Sequence, residues 1–190
     1  MTRSITDQAH DFYDAVPYEV PTPDTSLYAL LDTTARLYPD RVALDYFGAT
    51  TTYAQVRDQV LRAARVLHEA GVRAGDTVAI ALPNCPQAFV AFYACMRIGA
   101  VAAQHNPLAP AQEIAGQLAR HGGRVAVVWE KCVDAYPLDA LDTVLTVDIS
   151  HAMPASQRFL LKLPVPRARQ MRAQLRGAVP AACMSWDRAT

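Results

Sequence analysis

The chain has 190 residues, is 52% hydrophobic, and balances 18 basic against 18 acidic side chains. That is enough for one substantial globular core, and no apolar run reaches the roughly 18 residues needed to span a membrane as a helix. The opening MTRSITDQAHDFYDAV carries acids and has no apolar h-region, so it does not read as a signal peptide, and the expected compartment is the cytoplasm.

The neutral total hides an asymmetry. Residues 1–150 hold 11 Lys and Arg against 17 Asp and Glu, whereas 151–190 hold 7 against the single acid Asp187. Such a contrast implies segments with different surroundings. Cys85, Cys95, Cys132 and Cys183 form no C-x-x-C pair, and no histidine stands near them at ligand spacing. They read as reduced thiols, and no metal site is expected.

Residues 1–25, with Pro17, Pro21 and Pro23, read as an irregular lead-in. Ser26 is placed to cap a helix whose apolar stripe is Leu27, Leu30, Leu31 and Leu37, ending at Pro39 and Asp40. Val42, Leu44 and Tyr46 alternate with polar neighbours, and Gly48-Ala49 is read as the turn of a hairpin that returns through Thr50–Thr52. Thr52 and Gln55 have capping-box spacing. The helix they open presents Val56, Val60, Ala63, Ala64 and Leu67 and closes at Gly71.

From there the rhythm is strand and helix in alternation. DTVAIALP (76–83), AVAAQ (100–104), RVAVVW (124–129) and DTVLTVD (142–148) read as strands. CPQAFVAFYACMRIG (85–99), with Asn84 as candidate cap, and PAQEIAGQLARHG (110–122) read as helices. The first helix is apolar nearly all round, so it is expected to be buried between layers. The pattern predicts an α/β fold: a mostly parallel, four-stranded sheet flanked by helices, with a small N-terminal β-hairpin. After Asp148 no further β-α unit is read. The tail 151–190 is taken as a basic, proline-broken connector, and 26–150 as the α/β subdomain.

Ligands in open parallel sheets bind outside the carboxyl ends of strands. Asn84, His105 and Asn106 follow strands and are the candidate substrate-binding residues. The alternative is that Asn106, Pro107 and Pro110 turn the chain while His105 is a hydrogen-bonded loop residue. No nucleophile or carboxylate is arranged around His105, so no catalytic residue is assigned. No G-x-G-x-x-G or G-x-x-x-x-G-K-[ST] occurs, so no cofactor-binding residue is assigned. Lys131 and Lys162 read as surface charges.

The order of segments is specific. LLDTTARLYPDRVALDYFGATTTYAQV, then GVRAGDTVAIALPN, FYACMRIGAV and NPLAPAQEI, resembles the N-terminal part of adenylate-forming enzymes: acyl-CoA synthetases, luciferases and adenylation domains. HNPL followed by LLKLPVPRAR is most similar to long-chain fatty acid–CoA ligases. The likeness covers about 25–150 well and 151–190 loosely. It implies a parent reaction in which a fatty acid and ATP give an acyl-adenylate and pyrophosphate, and CoA then displaces AMP. It implies ATP, Mg²⁺ and CoA for that parent, and the remainder of the ligase polypeptide as partner. The family's phosphate loop and C-terminal lysine have no counterpart here, so the chain is expected to be a fragment inactive alone, with apolar surface left exposed. The alternative is an independent α/β module that binds a small ligand or another protein. Residues 158–176, basic and apolar together, read first as a solvated connector packing its leucines on the domain, since Pro164 and Pro166 interrupt any long amphipathic helix; the alternative is a peripheral contact at the inner face of a membrane. The absence of interleaved aromatics argues against nucleic acid.

Overall fold

A computed structural model describes residues 24–190; the lead-in read at 1–25 lies almost wholly outside the described residues. Ser26 caps α1 (Leu27–Leu37) as read, its Oγ accepting from the Ala29 N–H at 3.1 Å. The leucine stripe is corrected: Leu31 and Ala35 are buried, whereas Leu27, Leu30 and Leu37 are exposed. The inward face is set by positions four apart, which stack on one side of the helix.

Strands β1 (Val42–Tyr46) and β2 (Ala49–Thr52) pair antiparallel. Tyr46 faces Ala49 across the ladder, so the turn is Phe47-Gly48 and not Gly48-Ala49. Both turn residues have positive φ, 54° and 86°, which a two-residue turn between twisted strands requires. Asp45 stabilises the turn by accepting the Gly48 N–H at 2.9 Å. Helix α2 (Tyr53–Glu69) opens with the full capping box: the Thr52 N–H donates to Gln55 Oε1, and the Gln55 N–H to Thr52 Oγ1. Its five expected apolar residues are all buried.

The main sheet is parallel throughout. Its strands are β3 (Thr77–Ala81), β4 (Val101–Gln104), β5 (Val125–Trp129), β6 (Thr143–Val147) and β7 (Met184–Ser185), ordered β4-β3-β5-β6-β7. Helices α3 (Pro86–Ile98) and α4 (Ala111–His121) are the two crossovers flanking β4. Alternate strand residues feed two cores. Val78, Ile80, Val125, Val127, Leu145 and Val147 pack with α1, α2 and α3. Ala79, Ala81, Ala126, Val128 and Val144 pack with Ile114 and Leu118 of α4, on the other face. A sheet covered on both faces needs the near-continuous apolar strands that the sequence carries.

The tail is the main correction to the fold. It forms α5 (Ala155–Lys162), α6 (Pro166–Leu175), β7 and the short α7 (Trp186–Ala189). Leu145 registers with Met184 and Thr146 with Ser185, so the tail supplies a fifth strand. Trp186, 2% exposed, fills the core behind it. Two paired residues are too few to show a period, which is why MSW carries no strand signal. Helix α3 also departs from expectation. Val90, Ala91, Ala94 and Cys95 are buried, but Phe89, Phe92, Tyr93 and Met96 are only half-buried. One of its faces remains open to a groove. No helix among the described residues is long and apolar enough to cross a membrane.

Candidate functional site

The sheet order reverses at β3: the chain moves from β3 to β4, then returns to place β5 on the other side of β3. The carboxyl ends of β3 and β5 therefore border the crevice where such folds hold ligands, with the ends of β4 and β6 on either side. Two constellations occupy this end.

The first is a groove of about 560 Å³ walled by the hairpin (Leu44, Tyr46), by Phe89, Phe92 and Tyr93 of α3, and by Asn84 and His105. Asn84 is exposed on its rim and does not cap α3. The cap position is Cys85, which offers no side-chain bond, and Pro86 at the first helical position needs none there. Asn106 lies outside the groove. Its Oδ1 accepts the Leu108 N–H at 3.0 Å, closing a turn on itself. Of the three candidates, then, two share one groove and one does not. Cys85 also borders the groove, but burial pushes its thiol up to about 11, so it stays protonated and is a poor nucleophile.

His105 is buried at the end of β4, its backbone N–H donating to Ile80 O at 2.9 Å. Its Nδ1 stands 3.1 Å from Tyr136 Oη and its Nε2 stands 2.9 Å from His121 Nε2. The Gly123 N–H donates to His121 Nδ1 at 3.0 Å. That last bond fixes every proton in the chain. A neutral His121 accepting at Nδ1 carries its hydrogen on Nε2 and donates it to His105 Nε2, so His105 is protonated at Nδ1 and donates to Tyr136. Burial first, then mutual repulsion and Arg120, hold His105 below the usual imidazole range. Burial does the same for His121. With both ring nitrogens engaged, His105 presents no free base to the groove, and its geometry is that of a structural pin.

The second constellation gathers at the end of β6. Asp148, at the end of β6, is buried. Its Oδ1 accepts from the Ser150 hydroxyl at 2.6 Å and the Ser150 N–H at 3.0 Å. The Arg176 guanidinium pairs with its Oδ2. Asp187 accepts the Asp148 N–H at 3.2 Å, and His151 Nδ1 lies 3.3 Å from Asp187 Oδ2. Gln87 Nε2 reaches Asp148 O at 3.4 Å, while its own Oε1 is buried without a partner among the described residues. Glu130, at the end of β5, has its carboxyl pushed up, first by burial and then by the charge of Asp148. The visible signal was an aspartate closing an apolar strand, TVLTVD. Its partners lie 28 and 39 residues further on, in a segment whose elements are too short to show a sustained period.

A family model of AMP-binding enzymes matches residues 31–177. The chain belongs to the AMP-binding enzyme family. Within it, the chain is 28% identical over 159 residues to a long-chain-fatty-acid–CoA ligase of Bacillus subtilis (strain 168), covering 80% of this chain and 28% of that protein. An acetyl-coenzyme A synthetase of Emericella nidulans is 49% identical over 69 residues, 33% of this chain and 10% of that protein. A solved structure of a proposed long-chain-fatty-acid CoA ligase from Rhodopseudomonas palustris shares the fold, with a TM-score of 0.66, 21% identity, and coverage of 88% of this chain and 36% of that one. The chain thus spans less than a third of the curated relatives it matches.

The residues described do not fit the ATP phosphates and Mg²⁺ that the family implies. No three His, Cys, Asp or Glu side chains among them converge as metal ligands. The loops entering α3 and α4 contain no glycine and begin their helices at Pro86 and after Pro110, where prolines remove backbone donors that a phosphate would use.

Proposed function

We propose that the chain is the N-terminal part of an ATP-dependent long-chain fatty acid–CoA ligase and is inactive on its own. The match to the Bacillus subtilis ligase over 80% of this chain carries the reading. Inactivity follows from the donor set: attack of a carboxylate on an α-phosphate builds charge that needs positioned cations and N–H groups. In this reading ATP, Mg²⁺ and CoA bind when the remainder of the ligase polypeptide is present. The segments 1–25, 26–150 and 151–190 serve as lead-in, scaffold and connector, with the connector returning one strand to the scaffold. The protein is cytoplasmic, with a peripheral contact at the inner membrane face through 158–176.

The test replaces the matching part of the Bacillus subtilis ligase with this chain. The chimera is expected to release pyrophosphate when given ATP, Mg²⁺, palmitate and CoA, and the 190-residue chain alone is expected to release none. A folded chimera without activity sinks the ligase reading, and turnover by the chain alone sinks the inactivity.

A second reading, an independent small-ligand module, is favoured by the groove that Asn84 and His105 border. Saturable binding of an aromatic or acyl carboxylate there, lost on Phe92→Ala, would support it.

A further inference from the structure

We infer that the α5–α6 pair is a docking surface for an anionic lipid bilayer, with a lipid phosphate in a basic pocket and the neighbouring groove facing the acyl region. From Ile149 to Trp186 the chain carries six Lys and Arg and no acid. The fold gathers four of these charges. Ser150, His151, Arg158, Lys162, Arg172 and Arg176 line a small cavity of about 80 Å³, a size suited to one phosphate group. Arg176 is tied to Asp148, and Arg172 donates to the carbonyls of Leu161 and Leu163, fixing α6 against the end of α5. Arg158 and Lys162 pair with no carboxylate among the described residues and remain exposed, so their charge is available to a ligand.

Against this pocket lies a groove of about 550 Å³ lined by Phe47, Leu160, Leu163, Val165 and Met171. The pocket and the groove share Leu161 and Leu175 as a common wall. Leu160 is 57% exposed and Phe47 63%. Free phosphate would satisfy the pocket and leave these side chains in water. A bilayer with anionic headgroups satisfies both, because the charges meet phosphate at the depth where the apolar residues enter the interface.

This inference rests on the peripheral-contact reading above and is independent of the ligase reading. The test is flotation of the full chain with phosphatidylcholine vesicles, with and without phosphatidylglycerol. Salt-sensitive binding only to the anionic vesicles is expected. Arg158→Glu combined with Lys162→Glu should lower partitioning about tenfold or more, and Leu160→Ser should lower it at both low and high salt. All three residues are exposed, and far-UV circular dichroism confirms the fold of each variant. Wild-type chain that ignores anionic vesicles overturns the contact itself. Vesicle binding unchanged in the variants overturns this site while leaving some contact standing. Calorimetric binding of inorganic phosphate that needs Arg158 and Lys162, without vesicle binding, assigns the pocket to a free anion and overturns the docking surface.

Discussion

The Nε2 atoms of His105 and His121 stand 2.9 Å apart, and the hydrogen between them belongs to His121, because the Gly123 N–H occupies the far nitrogen of that ring. A second proton has no acceptor in this chain of bonds. On His105 it would point at the His121 N–H, and on His121 at the Gly123 N–H. The network joins the end of β4, the last residue of α4 and Tyr136, so it ties the loop 105–110 to the sheet.

This geometry sets a pH dependence. Both imidazoles are held below their ordinary value of 6.5, chiefly by burial. In the unfolded chain they take up protons near that value, so the unfolded state binds more protons as the pH falls through it. Stability is therefore complete above about pH 6.5 and is lost progressively below it. The melting temperature of wild type should drop between about pH 7 and pH 5. In the double variant His105→Gln, His121→Gln that drop should be smaller, since neither amide titrates. Equal drops in calorimetry would refute the assignment.

Asp148 and Arg176 form a pair in which only the carboxylate is buried; the arginine side chain is about half exposed. Arg176→Met removes the counter-charge and leaves the Asp148 carboxylate to Ser150 and to His151, whose Nε2 lies 3.6 Å from its Oδ2. The expected cost is about 2 kcal/mol, below the fully buried case because water reaches the arginine. Asp148→Asn added to Arg176→Met should recover part of the loss. A urea double-mutant cycle reads the coupling, and strict additivity would show that the pair does not interact.

Much of the fold is legible locally. Ser26, the Thr52–Gln55 box, the α2 stripe and the β3, β5 and β6 runs each declare themselves within a few residues, and the structure agrees. What the sequence conceals depends on distance or brevity. Met184–Ser185 becomes a strand only because Leu145 and Thr146 are waiting for it, and Leu27 and Leu37 fall outside the α1 contact face that Leu31 defines. For the site, His105 and Asn84 were visible as residues following strands. Asp148, Arg176 and Asp187 were not visible as a cluster, because two of its members lie in the basic tail. Asn106 also follows a strand, but its side chain serves its own turn.

Trp186 shows how much the tail contributes to the core. It is buried among residues that include Leu145 and Val147, behind a strand of only two residues. Trp186→Ala should cost about 3–5 kcal/mol, the range for a large aromatic removed from a packed site. Equilibrium denaturation followed by circular dichroism measures it. A loss under about 1 kcal/mol would mean that β7 and α7 detach without disturbing the sheet.

Gly177 decides whether α6 can lie where it does. A Cβ at this position would come 2.3 Å from the Glu130 carbonyl oxygen, a backbone atom that cannot swing aside. The same junction is held by the Trp129 Nε1–H donating to Leu175 O at 2.8 Å and by Lys131 Nζ donating to Ala173 O at 2.7 Å. Gly177→Ala should therefore push the end of α6 off β5 and break the Trp129 bond, whereas the sheet core, which does not include Gly177, stays folded. The expected signature is a red-shifted, more quenchable emission from Trp129, measured in a Trp186→Phe background so that one tryptophan reports, with strand content by circular dichroism unchanged. Because α6 carries Val165's neighbours Ala168 and Met171 into the apolar groove, the same variant should also weaken attachment to anionic vesicles. Unaltered Trp129 emission in Gly177→Ala would show that the backbone accommodates the methyl group and that glycine is not required at the junction.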